Sequence, residues 1–154
     1  MIGNSELAMD IVNYLQQLRA KLVDSSNWRQ IVMTREWTSK VPNEPGVYIL
    51  KELDQIVYVG ETGNLRGRMK DLLDSRHHTV RRTIGKSFSS VEGFKQGTVK
   101  EKFPEHIEGL LNEHICNKLL IAYLPVFLGR KELEELIEKD LCRETKLNKR
   151  GKRK

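Results

Sequence analysis

The sequence has few cysteines, prolines and aromatic residues. Its 154 residues include two cysteines, four prolines, two tryptophans, four tyrosines and four phenylalanines. Because Cys116 and Cys142 form no Cys-x-x-Cys pair, we expect neither a disulfide framework nor a zinc ribbon. Two free thiols are typical of a protein in the reducing cytoplasm, which is the predicted location.

Long hydrophobic runs are missing as well. No apolar run approaches the ~20 residues that a bilayer-spanning helix needs, and MIGNSELAMD at the start lacks the pattern of a secretory signal. The glycine and lysine spacing of a P-loop is absent. His106, Glu113, His114 and Cys116 are metal-binding residue types, but their spacing matches no zinc pattern. We therefore expect no membrane association, no P-loop and no zinc site.

The net charge of +6 is concentrated in two parts of the chain. Residues 61–100 carry nine basic and four acidic side chains, and residues 139–154 carry eight basic and two acidic ones. The segments 1–60 and 101–138 are acidic on balance. Localised positive charge attracts polyanions, since each neutralised phosphate releases counterions. This distribution favours nucleic acid as a partner.

Hydrophobic patterning predicts an α+β fold with a small antiparallel sheet. Residues 47–50 and 56–59 are β-branched and aromatic runs around a polar turn, which is typical of a hairpin. Residues 121–128 predict a third strand, and Pro125 favours an edge or bulged position because it cannot donate to a ladder. About three strands flanked by helices are expected. The helices are predicted over residues 5–22, from residue 65, over 105–120 and over 130–142.

The predicted hairpin places a tyrosine near a glycine in each strand. Since side chains alternate along a strand, Tyr48 and Tyr58 can share one face while the valines beside them lie on the other. The next helix has Arg66 and Arg68 off its apolar stripe. A guanidinium matches phosphate oxygens, and a phenol beside cations is expected to have a lowered pKa. The stretch therefore combines groups suited to phosphate chemistry.

Residues 46–68, GVYILKELDQIVYVGETGNLRGR, resemble the GIY-YIG nuclease family. GVY at 46–48 stands for the first half of the family motif, and YVG at 58–60 stands for the second after a gap of nine residues. The following ETGNLRGR matches the family's turn, Asn-Leu pair and helix arginine. A weaker resemblance covers residues 130–150. The resemblance implies the family's α+β fold and metal-dependent cleavage of DNA.

The resemblance also implies a role for each matching residue. Tyr48 would activate or orient the attacking water, and Tyr58 would contact the scissile phosphate or support Tyr48. Arg68 would stabilise the phosphate as negative charge builds up. Glu138 would hold one divalent cation, Mg²⁺ or Mn²⁺, with waters and phosphate oxygens as the other ligands. The structural residues of the motif would be Gly46, Gly60 and Asn64.

Two parts of this assignment stay open. Glu138 could instead be a solvated helix charge, with Glu134 or Glu135 as the metal ligand, and Glu134 lies one turn back on nearly the same helix face. Leu72 stands where many family members have a catalytic His or Tyr four residues after the helix arginine. His77 and His78 follow slightly later in the sequence. They either take the role of that catalytic residue or contact phosphate. Nucleic-acid contacts are predicted for Arg66, His77, His78, Arg81, Arg82 and Asn148, with a helix cap as the alternative for Asn148.

We therefore expect a metal-dependent endonuclease acting on DNA, whose specificity comes from its own loops or from a partner protein. The alternative is a catalytically weak nucleic-acid-binding module of the same fold, which Leu72 would favour. A structural α+β domain with a chance motif is a third possibility. The predicted division is a helical extension over 1–40, the nuclease domain over 41–150 and a basic tail over 151–154.

Overall fold

One antiparallel sheet and six α-helices make up residues 4–148, the part of the chain that the computed structural model describes. The predicted basic tail at 151–154 lies outside these residues. The strands are β1 (Arg29–Gln30), β2 (Gly46–Glu52), β3 (Gln55–Thr62) and β4 (Leu119–Pro125). The helices are α1 (Asn4–Val23), α2 (Arg35–Ser39), α3 (Leu65–Asp71), α4 (Thr79–Gly85), α5 (Glu105–Lys118) and α6 (Arg130–Glu138).

The strand order in the sheet is β1-β4-β2-β3, and neighbouring strands are antiparallel. This confirms the predicted α+β class and the hairpin, which is formed by β2 and β3. The prediction of an edge or bulged position for the third strand was wrong, because β4 lies between β2 and β1. Pro125 is tolerated there since it is the last residue of β4, and β1 pairs only with Leu120 and Ile121.

The two faces of the sheet carry separate cores. Tyr48 and Tyr58 pack with residues of α3, α4 and α5 on one face. Val47 and Val59 pack on the other face with α6 and with Leu22 of α1. This arrangement follows from the alternation of side chains along a strand, and the predicted placement of both tyrosines on one face is confirmed.

A buried ion pair fixes α4 against α5. Arg81 is only 1% exposed and donates from Nη2 to Glu108 Oε2 and from Nε to Ser75 Oγ at 2.9 Å. The other oxygen of Glu108 accepts from the backbone N–H of Phe103 at 3.0 Å. Removing one partner of a buried pair costs about 3–5 kcal/mol, because the other charge is left unpaired. This cluster therefore holds α4, and with it the residue His78 that caps α4, in a defined position.

The region predicted as an N-terminal extension also contributes to the sheet and to the core. Strand β1 pairs with β4, and Leu22 and Ile31 are buried. The first half of α1 differs, since residues 6–14 are all exposed. Although α1 has 20 residues, neither it nor any other helix of the described chain is long and apolar enough to cross a bilayer.

Candidate active site

The ring of Tyr48 crosses the neighbouring strand at a glycine. The register of β2 and β3 pairs Tyr48 with Gly60. A Cβ added at Gly60 would lie 2.6 Å from Tyr48 Cζ and 2.7 Å from Tyr48 Oη, so only glycine leaves room for the ring. The glycine of the YVG stretch therefore allows the Tyr48 hydroxyl to reach across β3.

Three side chains contact the Tyr48 hydroxyl. Arg68 Nε donates to Tyr48 Oη at 3.2 Å, and His78 Nε2 lies 2.9 Å from the same oxygen. The Tyr48 hydroxyl donates to Tyr58 Oη at 3.4 Å. The structure thus brings together three of the four residues predicted to be catalytic, Tyr48, Tyr58 and Arg68, and adds His78 to them.

The hydrogen bonds of His78 define its tautomer. The backbone N–H of Val80 donates to His78 Nδ1 at 3.1 Å, so Nδ1 acts as an acceptor. A neutral imidazole has one N–H, which must therefore be on Nε2 and directed at Tyr48 Oη. The Tyr48 oxygen consequently accepts from two N–H donors, one on His78 and one on Arg68.

Burial controls the protonation of both groups. His78 and Tyr48 are each 0% exposed. Burial lowers the pKa of His78 well below its ordinary value of 6.5, and the nearby Arg68, Arg82 and Arg81 lower it further. Burial raises the pKa of Tyr48 well above 10, and the effect of Tyr58 adds to this rise, whereas Arg68 acts in the opposite direction. The lowered tyrosine pKa expected from nearby cations is therefore not found, because desolvation outweighs the guanidinium.

Arg68 connects the buried tyrosine to the surface. Besides Tyr48, its guanidinium donates from Nη1 to Asp71 Oδ2 at 3.2 Å and to the His77 carbonyl at 3.1 Å. The side chain remains 26% exposed. A guanidinium held by three partners is already oriented, and its exposed part is accessible to a phosphate.

Side chains from the C-terminal part of the described chain cover the outer edge of β3. Asn148 Oδ1 accepts from Val59 N at 3.0 Å, and Asn148 Nδ2 donates to Val59 O at 2.8 Å. Two residues along the strand, the backbone N–H of Glu61 donates to Glu134 Oε2 at 2.9 Å. Glu134 is therefore held at Glu61, next to the glycine over which the Tyr48 hydroxyl lies.

Glu138, the predicted metal ligand, lies one helical turn beyond Glu134. It is 8% exposed, and its Oε1 is 3.9 Å from Lys146 Nζ. The neighbouring Leu147 donates its N–H to the carbonyl of Val57. Glu138 thus belongs to the side of α6 that faces the segment at 146–148, whereas Glu134 reaches the end of β3 at Gly60 and Glu61.

Several residues predicted to contact nucleic acid have partners within the protein. The burial of His78 and Arg81 does not fit a phosphate contact, since each is at most 1% exposed. Asn148 binds the backbone of β3, neither capping a helix nor pointing outward. Arg66 Nε donates to the Val41 carbonyl at 2.9 Å and anchors α3. Of this predicted set, His77 is exposed.

The remaining motif residues shape the site. A Cβ at Gly46 would overlap the Leu65 side chain, whose Cδ1 would be 2.5 Å away, so this glycine lets α3 pack closely on β2. Asn64 is the N-cap of α3, and its Oδ1 accepts from Gly67 N at 3.0 Å. Both interactions fix the start of the helix that carries Arg68.

The position of His78 could be anticipated only in part from the sequence. Val80 and Ile84 have helical spacing and turn one face of α4 toward the core, which brings the capping residue inward as well. The contact with Tyr48 spans 30 residues of chain and depends on how α4 packs. No local pattern encodes that packing.

One family model and several solved structures are similar to this chain. The family model for the GIY-YIG catalytic domain matches residues 31–152. Similar solved structures include the magnesium-bound N-terminal endonuclease domain of UvrC from Thermotoga maritima, which is 20% identical with a TM-score of 0.39. A Tyr-to-Phe point mutant of that domain, bound to its catalytic divalent cation, is 21% identical with a TM-score of 0.39. Each match covers 75% of this chain and 94% of the other. No curated protein sequence matches this chain.

Proposed function

We propose that this chain, which belongs to the GIY-YIG catalytic domain family, is a metal-dependent endonuclease that hydrolyses phosphodiester bonds in DNA. The main support is the cluster around Tyr48. The Tyr48 phenol accepts hydrogen bonds from a guanidinium and from an imidazole N–H, and neither bond is needed to pair the strands of the sheet. Such donors stabilise negative charge on an oxygen, which is what a tyrosine needs in order to act on water.

Tyr48 would orient the attacking water or accept its proton, which requires the water to enter the enclosed space around its hydroxyl, since the side chain is 0% exposed. The two N–H donors at Tyr48 Oη stabilise the ionised phenolate, since both are directed at the oxygen that carries the charge. At neutral pH the raised pKa keeps the proton on Tyr48, so the ionised fraction rises with pH. Arg68 would contact the phosphate with the exposed part of its guanidinium, and Tyr58 would support the Tyr48 hydroxyl.

The residues of this site fit a single Mg²⁺ or Mn²⁺ ion. Within residues 4–148 no group of three or more His, Cys, Asp or Glu side chains could hold a metal by itself. Magnesium rarely needs such a group, because it binds one or two carboxylates and fills its other positions with water and substrate phosphate. A bound cation would stabilise charge on the phosphate and lower the pKa of a coordinated water.

Glu134 is the better placed ligand for this cation. Its carboxylate is hydrogen-bonded to Glu61, beside Gly60 and the Tyr48 hydroxyl, whereas Glu138 lies one turn away near Lys146. We therefore assign the metal to Glu134, which the sequence left open, in preference to Glu138.

The test is cleavage of supercoiled plasmid and of flapped or branched oligonucleotides with Mg²⁺, with Mn²⁺ and with EDTA. We expect metal-dependent products that EDTA abolishes. Tyr48→Phe should lower the rate by about 10²–10⁴-fold, the usual contribution of a positioned acid or base. Glu134→Gln should abolish cleavage at low metal concentration, and Glu138→Gln is the matched control that should retain it.

Each outcome leads to a different conclusion. Loss of activity in Glu138→Gln but not in Glu134→Gln would return the metal to Glu138. Cleavage that continues in EDTA would refute the metal dependence. DNA binding without cleavage under any metal would leave the catalytically weak binding module as the function.

A further inference from the structure

A basic groove begins one residue from the active site. It runs between α4 and the segment around residues 96–98 and has a volume of about 730 Å³. Thr79 lies at its start and follows His78, whose ring contacts Tyr48. The groove is lined by Thr79, Arg82, Thr83, Lys86, Gln96 and Thr98, among others.

The two walls of the groove are held together by one aromatic ring. A Cβ at Gly97 would lie 2.8 Å from Phe103 Cδ2, and a Cβ at Gly85 would overlap the same ring. Phe103 therefore packs against a glycine of each wall, and larger residues there would displace it. Gln96 Nε2 also donates to the Arg82 carbonyl at 3.4 Å. The groove is thus a built feature of the fold and does not arise from two loosely apposed loops.

One face of α4 supplies the charge. Thr79, Arg82 and Thr83 of α4 occupy positions i, i+3 and i+4, and Lys86, which follows α4 with helical backbone angles, is at i+7, so all four share a side of the helix. Arg82 Nη1 donates to the carbonyls of Ser75 and Arg76 at 2.8 and 2.9 Å, which fixes its guanidinium. Lys86 is exposed, and no acidic side chain of the described chain lines the groove. Basic groups combined with hydroxyls are the usual partners of phosphate and sugar oxygens.

The length of the groove suits a short stretch of nucleic-acid backbone. From Thr79 to Lys86 the helix rises about 10 Å at 1.5 Å per residue. One strand of B-form DNA places a phosphate about every 3.4 Å along its axis. The basic face is therefore as long as about three such steps, which corresponds to about three nucleotides of one strand.

We propose that this groove binds the sugar-phosphate backbone of the substrate strand, over about three nucleotides next to the bond that is cut. The position next to the cut rests on the proposed nuclease function, whereas backbone binding by the groove does not. The contacts are with phosphate and sugar, so they hold the strand in register without selecting a base sequence. Arg82 and Lys86 provide the charge, and the opposite wall at Gln96 and Thr98 provides neutral polar groups.

The test is the salt dependence of DNA binding in EDTA, where cleavage does not interfere. Binding of a labelled oligonucleotide duplex is measured by fluorescence anisotropy between about 50 and 200 mM salt, the range over which phosphate contacts are strongly screened. The binding constant falls as salt rises, and the loss of one phosphate contact makes the slope of log K against log salt less steep by about 0.7–0.9. We expect this decrease for Lys86→Gln and recovery of the original slope for Lys86→Arg.

The matched control is Lys118→Gln. Lys118 is exposed as well, and the next residue, Leu119, pairs with Glu52, which is four residues along β2 from Tyr48. Its removal changes the net charge by the same amount at the far end of the sheet, so we expect an unchanged slope. Equal slopes for Lys86→Gln and Lys118→Gln would refute backbone binding by the groove, even if the protein cuts DNA. A less steep slope for Lys86→Gln in a protein that never cuts DNA would support binding by the groove and refute the proposed nuclease activity.

Discussion

At the scale of single residues, His78 is the contact of the Tyr48 hydroxyl that the family motif does not provide. Leu72 is buried and apolar where many family members have a catalytic His or Tyr. His78 supplies an imidazole to the same Tyr48 hydroxyl from the start of a different helix. Because its Nδ1 accepts from Val80 N, this imidazole is a donor to Tyr48 and does not remove its proton. His78 thus holds the Tyr48 hydroxyl through Nε2, and its burial favours the neutral imidazole.

This preference for the neutral imidazole predicts a pH-dependent stability. Below pH 6.5 the unfolded chain protonates His78, whereas the folded chain, in which burial lowers the pKa of His78, does not. The free energy of unfolding should therefore decrease as the pH falls below about 6.5, by at most about 1.4 kcal/mol per pH unit. Urea unfolding at pH 7.5, 6.5 and 5.5 measures this, and His78→Gln should show a weaker dependence.

His77→Gln is the control for this experiment. His77 is exposed and adjacent in the chain, and its contact with Asp74 Oδ2 at 3.8 Å is screened by solvent, so its removal should change the pH dependence much less than the removal of His78. The lowered pKa of Asp74, caused mainly by its hydrogen bond with Arg76, destabilises the fold on acidification only below about pH 4 and does not overlap this range. An unchanged pH dependence in His78→Gln would show that His78 is not held neutral by the fold.

At the scale of elements, the outer strand β3 has no neighbouring strand on one side, and side-chain and backbone groups of Glu134, Leu147 and Asn148 take its place. An edge strand exposes unpaired N–H and C=O groups, which invite pairing with other chains. Asn148 satisfies both groups of Val59, Leu147 satisfies the Val57 carbonyl, and Glu134 accepts from Glu61. The same contacts hold β3 in place beneath the Tyr48 ring.

We predict that Asn148→Ala destabilises the protein. It leaves the N–H and carbonyl of Val59 without their partners, which costs about 1–3 kcal/mol for a buried polar group. Asn148→Asp should also destabilise, because a carboxylate cannot donate to the Val59 carbonyl. Urea unfolding measures the stability, and DNA affinity is measured in parallel. Unchanged stability with weaker DNA binding would instead support the nucleic-acid contact that the sequence predicts for Asn148.

At the scale of the whole molecule, α1 differs from the rest of the fold. Its final turns pack on the sheet through Leu22, and Arg19 Nη1 lies 2.8 Å from Asp140 Oδ2. Residues 6–14 in its first half are exposed, with Tyr14 Oη donating to the Leu128 carbonyl at 2.7 Å, and the whole helix lies before the family match at 31–152. The helix is therefore anchored at one end only.

This asymmetry predicts different effects for two truncations. Removing residues 1–12 should change the free energy of unfolding by less than about 0.5 kcal/mol, as is usual for surface changes. Removing residues 1–23 also deletes Leu22, whose burial alone contributes about 1.5–3 kcal/mol. Thermal and urea unfolding measure both variants. Strong destabilisation by the shorter truncation would mean that the exposed half of α1 is packed in solution, for example against a second copy of the chain.

The sequence by itself determined the hairpin, the α+β class and the family, because alternation, turn residues and the GVY, YVG and NLxxR spacing are local properties of the chain. Strand alternation placed Tyr48 and Tyr58 on one face, and the family resemblance added Arg68, and the structure brings these three side chains into contact. Strand β1 escaped prediction because two residues carry no periodic signal.

Only the tertiary structure decided which other groups meet Tyr48 and the end of β3. The contact between His78 and Tyr48 spans 30 residues, that between Glu134 and Glu61 spans 73, and that between Asn148 and Val59 spans 89. Burial likewise reversed the expected direction of the Tyr48 pKa, because desolvation depends on what surrounds the ring and not on its neighbours in sequence. Local patterns give the direction of a side chain, whereas its partners and its solvation follow from how distant elements pack.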